Sequence, residues 1–482
     1  MIKIVKLNFY IRLFFSLLLI TSPWILLLFI TKVLVHHSIF NSIPCWSDEL
    51  AYWHEILSFS QKGFDFGYYT FNEAVPQMLS FGSHGFGTVS VYALFGKIFG
   101  WKTYSIVLAN AFFMSLAFLF LLVFGKVSFK KLLTILFVSL TFTPLVLFSS
   151  TSMTELLSYS MLIIYFTLLY RYYFKSESKK LFVVLVLFCI GLSFVRIIYI
   201  LLFLPMIFKT ENEPRIDFNL IRKLIIWLLF SIFLYFTTNL FVSPYPDSFL
   251  HELFSGTGFI SKFLIHFAQN SLNFISPFSE IPIQVLQRYF VLCIIIFSLF
   301  KSKIIQNRFR KMEVEYFAVF LILISTLLVT IAAYDVFDWR DYRVLAPVLF
   351  GCIVFLILNT KKQIALISLI FNTIGIILLI SSPQVLSSFN AGRYEKLTKN
   401  NLLNSIEYIQ HANSKFENTV IVKNLTVNTV LNVPAGIGIS CTDKFSDNFK
   451  SNYIFSDKEI KFSTYKLIRS NKTGYLYRKE LR

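Results

Sequence analysis

Long apolar runs alternate with short polar segments over the first 381 residues, after which the chain turns polar. A helix that crosses a bilayer needs about 20 mostly apolar residues. The pattern predicts spans near 12–34, 103–124, 132–149, 153–173, 223–243, 284–300, 315–334, 344–359 and 363–381. The run 181–208 is too long for one helix and contains Arg196 and Pro205, so it predicts two short helices, roughly 181–193 and 195–208. That makes eleven expected crossings. No small-residue cleavage site follows the first span, which predicts an anchor rather than a removed signal peptide.

Three regions are not simple spans. Residues 35–102 predict a long first loop, and residues 244–283, with Pro244, Pro246, Pro277 and Pro282, a second. Residues 382–482 predict a soluble domain with 15 Lys+Arg and 8 Asp+Glu. Within it, Leu397, Leu402, Leu403, Ile406 and Ile409 fall at helical spacing and predict a helix over about 394–414. The runs Thr419–Val422, Thr426–Leu431, Tyr453–Phe455 and Tyr475–Arg478 read as strands. The expected fold is therefore an all-α polytopic membrane protein, residues 1–381, carrying a small C-terminal α/β domain, residues 382–482. No repeat of fixed period stands out.

Composition agrees with this reading. The chain is 56% hydrophobic and 15% charged, against about 45–50% apolar and about 25% charged in soluble domains. A soluble single-core enzyme, a disordered chain and a disulfide-built scaffold are excluded. The formal charge of +19 marks cytoplasmic loops in such a chain rather than nucleic-acid binding. With the N-terminus inside, 21 of the 30 basic residues before position 382 fall on inner segments, and 12 of the 18 acidic residues fall outside. The soluble domain then lies outside. The basic residues off the inner side are Lys32, Lys62, Lys97, Lys102, Arg196, Lys262, Arg288, Arg340 and Arg343.

Ionisable groups at membrane depth are costly and mark candidate sites. The strongest cluster is Pro44–Trp53, with Asp48 and Glu49 adjacent, Trp46 beside them, and Tyr52 and Trp53 as candidates for substrate contact. Ser47 reads as a helix N-cap. One carboxylate can then act as a general base for a hydroxyl group, while the other orients or caps. Arg196 interrupts an apolar run with no local charge to pair with. Arg340 and Arg343 lie in an acidic loop beside Trp339 and Tyr342, which suit sugar stacking or interface anchoring. Arg offers a bidentate fork to a phosphate. His84 is a candidate for substrate contact. Glu155, after Ser149–Ser152, reads as a helix cap or as a second cavity-facing carboxylate, the cap being favoured. His251 and Glu252 are weaker candidates for acceptor contacts.

The order of these features resembles the GT-C glycosyltransferases, which include protein O-mannosyltransferases and aminoarabinose transferases. An anchor precedes an Asp-Glu pair early in a long first outer loop. Ser83–Tyr92, followed by Leu94-Phe95-Gly96, is similar to the family's His-Pro-Pro-Leu-Tyr and Leu-Phe-Gly segments, with both Pro replaced. Arg343-Val344-Leu345-Ala346-Pro347 is similar to the family's Arg-Tyr-Leu-Leu-Pro. The resemblance covers most of residues 1–381. It implies a polyprenyl-phosphate sugar donor and an acceptor hydroxyl on the outer face of a bacterial cytoplasmic membrane. Asp48 would be the base, with Glu49 as support or substitute. A surface polysaccharide or lipid-linked glycan is the expected acceptor, as in the O-antigen-modifying glucosyltransferases.

Two other classes were weighed. An O-antigen polymerase would place Arg-rich segments in two large outer loops, whereas these loops are more acidic than basic. A transporter or flippase often has two similar halves, and none is visible here. Members of the GT-C fold differ in metal use; no divalent metal or other cofactor is predicted, since His36-His37 and His251-Glu252 lack ligand spacing. Cys189, Cys293 and Cys352 fall in spans. Cys45 and Cys441 both fall outside, where two separate thiols are favoured over a bridge.

Overall fold

The computed structural model describes residues 2–63, 86–174, 178–209, 218–240, 259–278, 281–302, 313–333, 342–359, 362–414, 416–423, 425–442 and 444–480. With no water in a bilayer core, backbone N–H and C=O groups must be satisfied within each segment, so the apolar runs form helices.

Helix α1 (Ile2–Leu28) runs on as a wider π-type turn to Leu34 and leads into α2 (Ser47–Lys62) of the first loop. Then follow α3 (Phe86–Phe99), α4 (Ser105–Gly125), α5 (Phe129–Thr141), α6 (Thr143–Phe148), α7 (Glu155–Phe174) and α8 (Lys179–Val195). A 3-10 segment, Ile197–Phe203, joins α8 to α9 (Leu204–Lys209) and α10 (Phe218–Asn239). Helices α11 (Phe259–Ile275), α12 (Pro282–Lys301), α13 (Val314–Ala333), α14 (Tyr342–Leu358), α15 (Lys362–Ser381) and α16 (Pro383–Asn390) complete the helical part.

Each expected span coincides with a helix. The expected 132–149 helix is two, broken at Phe142, because Pro144 starts a new helix rather than continuing one. The 181–208 run breaks at Arg196, as anticipated. Among the described residues, six helices are by themselves long and apolar enough to cross a membrane; the other expected crossings fall on shorter, broken or more polar helices.

Helices α7 and α14 form the centre. Every residue of α14 except Arg343 is buried. Gly351 allows the contact with α7: a Cβ there would stand 2.4 Å from the Phe166 ring. The outward faces of α10 and α15 carry exposed Ile225, Leu229, Phe233, Ile370 and Ile377, as lipid-facing helices do.

The second loop contains an unexpected helix, α11. Two of its polar residues, His266 and Asn270, are buried. Asn270 donates to the Ile331 carbonyl at 3.0 Å and pairs with His266 at 3.0 Å, and Arg288 of α12 donates to the Asn273 carbonyl at 2.6 Å. Its apolar residues Ile260, Leu264, Ile265, Leu272 and Ile275 point outward and are exposed. Exposed apolar residues of this kind fit a helix lying against lipid.

The C-terminal domain is a five-stranded mixed sheet of order β2-β1-β3-β5-β4, formed by β1 (Thr419–Val422), β2 (Gly438–Cys441), β3 (Tyr453–Ser456), β4 (Tyr465–Asn471) and β5 (Gly474–Lys479). Strands β2, β1 and β3 are parallel, and β5 runs antiparallel to β3 and β4. The short helices α17 (Asn401–Asn404) and α18 (Val427–Asn432) accompany it.

Three of the expected strands are present, but two expectations fail. The helix over 394–414 is reduced to α17, because Asn418 holds Ile409 by both its N–H and its carbonyl, 2.7 and 2.9 Å, and keeps that segment out of a helix. Thr426–Leu431 is helical, because the Thr426 hydroxyl caps the Thr429 N–H at 3.1 Å. Leu50 of α2 packs into the sheet domain's core with Leu402, Leu403, Val430 and Ile439.

Candidate active site

Helix α2 is the hub. Its N-terminus is capped from within by Glu49, whose Oε2 accepts the Cys45 N–H at 2.8 Å and the Trp46 N–H at 3.1 Å. The residue before the helix is Trp46, so the expectation that Ser47 is the N-cap is corrected. Glu49 is fully buried, and its other partners are Arg393, at 2.8 and 3.0 Å, and the Ser152 N–H, at 2.8 Å. With both oxygens engaged and no access from outside, Glu49 is a structural joint between first loop, α6–α7 connection and soluble domain; of its two expected parts, support and substitute, this burial leaves only support. The Cys45 thiol lies against this carboxylate, and burial, reinforced by the Glu49 charge, pushes it up to about 12. It is not bonded to Cys441, whose thiol donates to the Lys423 carbonyl.

Asp48 faces the other way. Its side chain is 43% exposed, and Oδ2 accepts from Arg343 Nη2 at 2.7 Å. Arg343 stands in the first turn of α14, and its Nε lies 3.7 Å from Glu155 Oε1. The same Oε1 accepts from Arg196 Nη2 at 2.6 Å. Four side chains from four separated segments thus form one chain of alternating charge: Asp48, Arg343, Glu155, Arg196. Glu155 is fully buried, so its favoured reading as a helix cap gives way to that of a second carboxylate inside the cluster. Among the described residues, its Oε2 has no hydrogen-bond partner.

Local structure explains the position of Arg196. It is extended (φ −150°, ψ 126°) between α8 and the 3-10 segment, which turns its guanidinium out of the helix axis. Helix α3 buttresses the break. The Thr88 hydroxyl donates to the Val195 carbonyl at 3.2 Å. A Cβ on Gly87 would meet the Phe194 carbonyl oxygen at 2.2 Å, so only Gly permits this approach.

Tyr52 follows Asp48 by one turn and is buried. Burial and the Asp48 charge push its hydroxyl well above the usual range, with Arg196 and Arg343 opposing; it therefore sits among the four charges. Trp53 is buried too, with its indole N–H on the Lys102 carbonyl at 3.0 Å. It seats α2 rather than offering a ring to a substrate, which corrects that expectation. Tyr342 is 2% exposed, so its ring is enclosed by the bundle and is not presented for stacking, a second correction. His84, Trp339 and Arg340, like His251 and Glu252, lie outside the described residues.

The residue that sequence reasoning missed is Arg393. It lies just past the last apolar run, where basic residues were no longer weighed one by one. Its signal was weak: one Arg in a polar stretch, with its partner 344 residues away.

The arrangement has two chemical capacities. Asp48 is a solvent-reachable carboxylate able to take a proton. Arg343, 18% exposed, offers part of its guanidinium to an anion, with the buried Arg196 behind Glu155.

No family model matches the sequence, and neither does any curated protein. Among solved structures, the chain is similar to the Archaeoglobus fulgidus oligosaccharyltransferase in complex with Zn and sulfate, at 11% identity over 91% of this chain and 68% of that one, with a TM-score of 0.50. It also matches ArnT from Cupriavidus metallidurans bound to undecaprenyl phosphate, at 8% identity over 97% of both chains, with a TM-score of 0.45. The first likeness concerns the fold alone: the chain shares the fold of that oligosaccharyltransferase.

Proposed function

We propose that this chain is a membrane glycosyltransferase that moves a sugar from a polyprenyl-phosphate donor to an acceptor hydroxyl. The observation that carries the reading is the cluster Asp48–Arg343–Glu155–Arg196, in which the exposed carboxylate touches a cation able to bind phosphate. The GT-C fold and the sequence resemblance support it.

In this reading Asp48 accepts the proton of the acceptor hydroxyl. The oxygen attacks the anomeric carbon, forming the new glycosidic bond. The bond from that carbon to the phosphate oxygen breaks, and polyprenyl phosphate leaves with the electron pair. Arg343 and Arg196 neutralise the charge that develops on the leaving phosphate, the kind of preorganised electrostatic stabilisation that lowers such barriers most. The family resemblance adds inversion at the sugar carbon, a site on the outer face of a bacterial cytoplasmic membrane, and a surface polysaccharide or lipid-linked glycan as acceptor. Arg340 and His84 remain candidates for donor and substrate contact through the same resemblance.

The test is transfer by purified protein in nanodiscs, supplied with a panel of polyprenyl-phosphate sugars and candidate acceptors. Release of polyprenyl phosphate that is lost in Asp48→Asn supports the reading. Failure to bind or turn over any member of the panel would remove it.

A further inference from the structure

We propose that Glu155 is a positioning residue: it keeps Arg196 and Arg343 in place while the donor phosphate draws Arg343 off Asp48, so that Asp48 becomes able to accept a proton only after the donor has bound. This rests on the proposed function above.

The two ends of the charge chain are unequal. The Glu155–Arg196 contact is 2.6 Å long, with side chains 0% and 8% exposed; the Asp48–Arg343 contact is 2.7 Å long, with side chains 43% and 18% exposed. Water and salt weaken the exposed pair, whereas breaking a buried one strands a charge in the interior. An arriving phosphate therefore displaces Asp48 and not Glu155. Asp48 Oδ2 is also occupied by Arg343 at 2.7 Å, so a hydroxyl must share or replace that contact.

Arg343 can make the exchange without moving its helix. All other residues of α14 are buried, so the backbone is fixed and only the guanidinium end is free to turn. Its Nε faces Glu155 while its Nη2 faces Asp48. Glu155 has capacity in reserve, because Oε2 has no partner among the described residues. As Arg343 leaves Asp48, it can tighten on Glu155 while presenting its fork to the phosphate.

The experiment is the binding of a polyprenyl monophosphate, the product of the reaction, to full-length protein in nanodiscs. Wild type, Asp48→Asn, Glu155→Gln and Glu155→Asp are compared, each checked for folding by thermal melting. Removing the competitor should tighten binding in Asp48→Asn by about two- to fivefold, the range for a part-exposed ion pair. Glu155→Gln should weaken binding, although it too removes a negative charge from the site, and Glu155→Asp should recover part of the loss. Simple charge bookkeeping predicts tightening in both variants, so the opposite signs isolate positioning. Equal binding by wild type and Asp48→Asn, or tightening in Glu155→Gln, would overturn the proposal while leaving the glycosyltransferase reading intact. A folded wild type that neither binds the lipid nor transfers sugar would overturn both. If Glu155→Gln does not fold, Glu155→Asp decides: it keeps the charge but shortens the reach, so its binding should fall below wild type while that of Asp48→Asn rises, and wild-type binding by Glu155→Asp would overturn the proposal.

Discussion

Asp48 and Glu49 are adjacent in sequence and face opposite sides of one helix: Glu49 is sealed on Arg393, and Asp48, 43% exposed, rests on Arg343. Two like residues thus divide into a sealed and an exposed member, and under the proposed function mutation should separate them. Asp48→Asn should lower sugar transfer by about 10²–10⁴, the usual effect of losing a general base, with little change in melting temperature. Glu49→Gln should instead cost about 3–5 kcal/mol, since it leaves Arg393 buried without its counter-charge. Parallel transfer assays and thermal melts check both; a stable, inactive Glu49→Gln would reverse the assignment.

Arg393 should behave as the other half of that joint. Arg393→Ala is expected to destabilise about as much as Glu49→Gln, and the double variant should lose less than the sum of the two. A double-mutant cycle in detergent measures the coupling. Full additivity would mean that the two residues act separately.

Gly87→Ala should be costly although it adds only one methyl group. The added carbon would lie 2.2 Å from the Phe194 carbonyl oxygen, so α3 must move away from the break at Arg196. A loss of about 1–3 kcal/mol is expected from overpacking, together with a raised KM for the donor. A control Ala at Gly191, where a Cβ meets nothing within 4 Å, should leave both nearly unchanged.

His54 predicts a pH limit. Its Nε2 lies 2.7 Å from the Ile437 carbonyl of the soluble domain, and burial lowers its pKa from 6.5 to about 4. The unfolded chain therefore binds this proton first as pH falls. The contribution of neutral His54 is complete above about 6.5 and is lost progressively as pH drops toward 4, reaching about 3 kcal/mol. Melting temperatures of wild type and His54→Gln between pH 7.5 and 4.5 should converge as the pH falls. Parallel curves would exclude His54 as the source.

Chelation should have little effect on transfer. Asp48 and Glu155 already share the positive charge of Arg343, so a divalent cation between them would have to expel it. Activity after EDTA treatment is expected to stay within about twofold. A large loss, restored by one added metal, would show that the guanidinium does not fill that place during turnover.

The helical part was legible because lipid leaves few options: apolar length gives the spans, and Arg196 gives the break. Arg196 and Arg343 were visible as basic residues off the inner side, and Asp48 as half of a carboxylate pair in the first loop. What could not be read was which charge meets which, since Asp48 and Arg343 are 295 residues apart. The direction of a side chain was equally hidden: nothing in Asp48-Glu49 says which one turns inward, and Trp53 and Tyr342 carry no mark that they are enclosed. In the soluble domain, local hydrogen bonds from Asn418 and Thr426 overrode hydrophobic spacing. Helix α11 escaped because polar and apolar residues are mixed on its exposed side, where Lys262 and Gln269 stand beside Ile265 and Leu272.

Helix α2 joins the membrane part to the soluble domain through its full length. Ser58 accepts the Gly436 N–H at 3.0 Å, Lys62 lies 4.0 Å from the centre of the Tyr408 ring, and Leu50 enters the sheet domain's core. The sheet is therefore the back wall of the helix that carries Asp48. Cutting the chain after the last apolar run would take away Arg393 and that wall together, and a truncated protein would keep its membrane helices yet lose the fixed bearing of its reactive carboxylate.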